Sequence, residues 1–60
     1  MQVHTETEEG YSATVFDNLV AAVQWGTGPV AVDILNDRIT NRSQAERMIA
    51  ALTAALPVLK

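Results

Sequence analysis

The stretch from Ser12 to Trp25 is rich in Ala and Val and is broken near its middle by Asp17-Asn18, and what that dipeptide does decides the architecture. As one helix, Val15, Phe16, Leu19, Val20 and Val23 would share an apolar stripe ended by Gly26, and the chain would read β-α-β-α. That arrangement leaves two strands, where a stable sheet normally needs at least three. It also sets Asp17 and Asn18 in a helix interior, where their side chains offer the backbone competing hydrogen bonds. As a two-residue turn, the same dipeptide joins two strands, and residues 2–35 become a meander with strands near 2–8, 11–16, 19–25 and 30–35. The other turns fall at Glu9-Gly10 and Gly26-Thr27-Gly28-Pro29. The expected fold is α+β: a four-stranded antiparallel meander packed by one C-terminal helix, in a single small domain spanning 1–60.

A two-residue turn places Phe16 opposite Leu19 and Thr14 opposite Ala21. Carried through the other turns, this register gathers Val3, Phe16, Leu19, Val23, Trp25, Val30, Val32 and Ile34 on one face, the expected core. The other face carries Gln2, His4, Glu6, Glu8, Tyr11, Gln24 and Asp33, with Ala13, Val15, Val20, Ala22, Ala31 and Leu35 among them. A three-residue bulged loop in place of Glu9-Gly10 would flip the first strand.

Residues 41–57 carry the helix signal. Ser43-Gln44-Ala45-Glu46 fits a capping box, in which Ser43 caps a backbone N–H and Glu46 reaches back. Ala45, Met48, Ile49, Leu52 and Leu56 then recur at spacings of three and four, an apolar stripe expected to dock on the sheet. Pro57 stops the helix at about 55 or 56.

A chain of 60 residues buries only about 60% of the surface of its unfolded form, so its margin over conformational entropy is thin. With no Cys and a single His, disulfides are excluded and a structural metal nearly so, which leaves oligomerisation or unusually good packing. The net charge of −3, seven acids against four bases, disfavours phosphate-backbone binding, and nucleic acid is not the expected partner. The first ten residues hold neither a basic segment nor an apolar run, and no apolar stretch reaches membrane length, so a cytoplasmic location without membrane contact is expected.

Motifs that carry chemistry are sparse, and neither catalysis nor a cofactor is expected. His4, Glu6 and Glu8 alternate and would share one strand face, a weak metal signal that reads better as a charged edge resisting unwanted pairing. Gly26-Thr27-Gly28 lacks the Lys and following helix of a phosphate loop and reads as a turn. Trp25 is expected in the core, with Tyr11 the surface aromatic. Arg38, Arg42 and Arg47 cluster near the start of the helix, where an anion or nucleic acid would be favoured, although Asp37 and Glu46 lie among them.

The use of three Arg against one Lys, with many Ala and Val, together with the meander-plus-helix layout, resembles small proteins of actinobacteria and their phages. The likeness covers the whole chain in layout alone and implies no activity. The most pointed expectation comes from packing. If the helix covers one sheet face, Tyr11, Val15, Val20, Ala22 and Leu35 are left as an apolar patch that another chain must cover. A non-catalytic interaction or accessory module, forming a homodimer through that patch or through Ala50, Ala51 and Ala54, is the expected function. The alternative is a small nucleic-acid-binding regulator using the three arginines.

Overall fold

Four strands and one helix make up the chain in a computed structural model that describes residues 1–59: β1 (Val3–Glu8), β2 (Tyr11–Phe16), β3 (Val20–Trp25), β4 (Ala31–Ile34) and α1 (Arg42–Ala55), closed by a 3-10 turn at Leu56–Val58. The strands pair antiparallel in the order β1-β2-β3-β4. This is the expected α+β meander with its C-terminal helix, and residues 12–25 contain two strands.

The hairpin turns follow from residues that tolerate left-handed backbone. Glu8 pairs directly with Tyr11, and Gly10 takes φ 77°, open to a residue without Cβ. Asp17 and Asn18 both adopt φ 55°, and the Leu19 N–H donates to the Phe16 carbonyl at 3.0 Å, which is the two-residue turn expected. The register beyond it differs. Phe16 pairs with Val20, not with Leu19, so Leu19 is an extra residue and forms a bulge.

That one residue reverses the facing of β3. Val20 and Ala22, expected on the open face, are buried beneath the helix, whereas Val23 and Trp25, expected in the core, lie on the face away from it. The bulge lets two consecutive apolar residues reach the core, since Leu19 packs against the same cluster as Val20. Strands β1 and β4 keep their expected facing, with Val3, Val30, Val32 and Ile34 on the helix side.

The helix begins two residues earlier than the Ser43 box predicts. The Asn41 side chain accepts from the Gln44 N–H at 2.9 Å, and Gln44 Oε1 accepts in turn from the Thr40 N–H at 2.8 Å. The docking face also differs from the expected stripe. Met48, Ala51 and Ala55 meet the sheet, while Ile49, Leu52 and Leu56 stay exposed on the flank. Small residues at the contact let the helix backbone lie close to the strands, and the core is correspondingly slight: Phe16, Val20, Ala22, Met48, Ala51 and Ala55. Among the described residues only Val20 of the larger side chains is fully buried.

Hydrogen bonding alternates regularly across the sheet. Leu35 N–H donates to the Leu19 carbonyl and Gly26 N–H to the Gly10 carbonyl, so odd-numbered residues of β4 bond to β3. Even-numbered ones, Val32 and Ile34, therefore point their backbone groups out at the free edge. On β1 the outward set is Val3, Thr5 and Thr7, because Asp17 N–H donates to the Gln2 carbonyl. Among the described residues no helix is long and apolar enough to cross a membrane.

Candidate functional site

Two apolar surfaces remain after the helix has docked. The first is the open sheet face. Tyr11 on β2 stands directly opposite Trp25 on β3, with ring centroids 4.4 Å apart and planes tilted by 50°. Behind this pair lie Ala13 opposite Val23 and Val15 opposite Ala21. Ala13 and Ala21 are hidden among taller neighbours without any helix above them, whereas Trp25 is 70% exposed. His4, Glu6 and Glu8 border this patch on β1 and Asp33 borders it on β4.

Of the residues expected to form an interface, Tyr11 and Val15 lie on this face, half-buried. Val20 and Ala22 do not, because the bulge at Leu19 turns them under the helix. Leu35 is exposed just past β4, its N–H held by the Leu19 carbonyl. Of the three alanines proposed on the helix, Ala51 is fully buried and Ala54 packs on the core, leaving Ala50 exposed. Sequence reasoning missed Val23 and Trp25. The cross-strand aromatic match of Tyr11 with Trp25 was the available signal, since it arises only with the bulged register.

The second surface is a groove of about 370 Å³ between the helix and β4, lined by Val32, Ile49, Leu52, Ala55, Leu56 and Leu59. Ile49 is 64% and Leu56 61% exposed, an unusual disposition for large aliphatic side chains of one helix flank.

The three arginines do not converge on one site. Arg47 Nε donates to Asp17 Oδ2 at 3.1 Å and ties the helix to the β2–β3 turn. This hydrogen bond, which outweighs the opposing desolvation and is aided by the Arg47 charge, holds the Asp17 carboxyl below its ordinary value. Arg42 Nε donates to Glu46 at 3.0 Å along the helix surface. Arg38 and Arg47 both line a small hollow with Leu19, Ile39 and Met48, which Arg42 does not reach. Two of the three charges are thus met by acids of the chain itself, and Asn41 occupies the Gln44 N–H that an anion at the helix terminus would use.

His4, Glu6 and Glu8 do lie along one face of β1, exposed. Among the described residues no group of three or more His, Cys, Asp or Glu side chains is placed to hold a metal ion. Gly26-Thr27-Gly28 forms a turn closed by Gly28 N–H on the Trp25 carbonyl at 3.0 Å, and Gln24 Nε2 donates to the Gly28 carbonyl. No family model, curated protein or solved structure matches the chain.

Proposed function

We propose that this protein is a non-catalytic interaction module that works as a self-associated unit. One observation carries the reading: alanines make up half of the core cluster, while several large aliphatic side chains sit outside it. Ile34, Ile49, Leu52 and Leu56 are all exposed, and the accessible surface is 4440 Å². A compact monomer of 6.5 kDa exposes about 3,800 Å², so the chain carries roughly 600 Å² more than its size requires. A standard interface covers about 800 Å² per partner, which is the same order.

The nucleic-acid alternative has less support, because Arg42 and Arg47 are paired with Glu46 and Asp17 and the net charge is −3. Sedimentation or light scattering of the purified chain tests the proposal. A mass above that of one chain, with a melting temperature that rises with protein concentration, is the expected result. A concentration-independent monomer refutes it.

A further inference from the structure

We infer that the self-association takes place at the free edge of β4, with a second copy's β4 added antiparallel and Val32 on the two-fold axis, extending the sheet to eight strands. This deepens the reading above and rests on it. Val32 and Ile34 direct unpaired N–H and C=O groups outward, as the alternation fixed by the Leu35–Leu19 bond requires, and Val30 immediately precedes the strand. An exposed strand edge of this kind is a template for another strand.

Symmetry then limits the register. With both helices on the same side of the extended sheet, facing residues must share a face, so the axis has to pass through a residue of β4. If Asp33 lay on the axis, two like charges would oppose each other. If Ala31 did, Ile34 would face Gly28 and lose its apolar partner. With Val32 on the axis, Val30 faces Ile34 of the second copy and Val32 faces its own mate, all apolar, and Val32 and Ile34 bring outward backbone groups. On the open face Ala31 then stands opposite Asp33, and no like charges meet.

The helix flank completes the contact. The groove lined by Val32, Ile49, Leu52 and Leu56 runs beside this same edge, so pairing brings two copies of it together over a floor of paired valines. Neither rival surface fits as well. The outward-pointing residues of β1 are Val3, Thr5 and Thr7, all exposed with no helix flank beside them. The open sheet face carries Glu6, Glu8 and Asp33, so meeting a second copy would set six acids around one contact. Edge pairing leaves that face and its Tyr11–Trp25 pair displayed twice on one side of the dimer.

Two proline variants test the edge. Val32→Pro removes an outward N–H and no bond to β3, so the monomer should keep its far-ultraviolet circular dichroism while the dimer dissociates. Thr5→Pro does the same at the β1 edge and should leave the dimer intact. The register is read at exposed Ala31, where the fold tolerates change. Ala31→Lys faces Asp33 of the other copy and should tighten the dimer, Ala31→Glu should loosen it, and the two should differ roughly tenfold in dissociation constant at low salt, fading as salt is added. A dimer lost with Thr5→Pro and kept with folded Val32→Pro, or one insensitive to both, overturns the β4 edge and leaves self-association standing. Equal affinities for the two Ala31 variants overturn the register even where Val32→Pro fails to fold. An unmodified chain that is monomeric at every concentration overturns this inference and the self-association reading together.

Discussion

Val20 is the residue on which the bulged register can be tested most directly. Its side chain is fully buried between β3 and the helix, whereas the unbulged register would put it on the open face. Val20→Ala removes two methyl groups from water-free surroundings, a transfer loss of about 1.6 kcal/mol. The cavity left behind adds to this, because Phe16, Met48 and Ala51 around it can collapse only in part, giving about 2–3 kcal/mol in all. In a domain of this size that lowers Tm by about 10–20 °C. Val15→Ala, on the half-buried open face, should cost about 1 kcal/mol or less. Val20→Thr separates burial from volume: the shape is kept, and a hydroxyl enters an apolar site at a cost of about 1–3 kcal/mol. Thermal and urea unfolding by circular dichroism, at one fixed protein concentration, measures all three. If Val15→Ala costs as much as Val20→Ala and Val20→Thr is neutral, Phe16 pairs with Leu19 and the bulge is wrong.

The facing of Trp25 has its own optical check, since it is the only Trp in the chain: its emission should be red-shifted and readily quenched by acrylamide in the folded protein, and a blue-shifted, protected emission would contradict the register. At the helix start, Asn41→Ala should cost about 1 kcal/mol and Ser43→Ala close to nothing; the reverse order in urea unfolding would return the cap to Ser43. The Asp17 carboxyl is depressed from 3.8 by Arg47, so its stabilising effect is present above that pH and is lost as the pH falls through the lower folded value. The Tm difference between the unmodified chain and Asp17→Asn should therefore move against the unmodified chain between about pH 6 and about pH 2.5, a window that spans the ordinary carboxylate value and extends below it, and a constant difference would remove the ion pair from the account.

The strands and their order were legible because their punctuation is chemical. Gly10, Asp17-Asn18 and Gly26 each sit where the backbone takes positive φ, and Pro57 follows the helix at the residue expected. The bulge was not legible from the turn itself, because its cause is tertiary, and its one trace in the sequence is the distant match of Tyr11 with Trp25. Nothing local distinguishes a turn followed by a regular pair from the same turn followed by an extra residue. The choice is made by the helix, which rewards placing both Leu19 and Val20 against Met48 and its neighbours. A sorting test that counts charges cannot see this, since β3 carries no charge and either facing leaves the acids outside.

The helix face failed for a related reason, and the failure explains why the groove beside β4 was overlooked. An apolar stripe ranked by side-chain size selects Ile49, Leu52 and Leu56 as the docking residues. A helix lying on a sheet is limited instead by how closely its backbone can approach, which favours Ala51 and Ala55 beneath it and displaces the larger residues to the flank. Once Leu52 is assigned to the core, no aliphatic surface is left to explain at the sheet edge. Once Ala51 is placed there, Ile49, Leu52 and Leu56 stand over the unpaired edge of β4. A core with alanines at the helix contact and an exposed aliphatic flank are thus two results of one packing choice: the area that the helix gives up by docking closely is held out beside the free edge of β4.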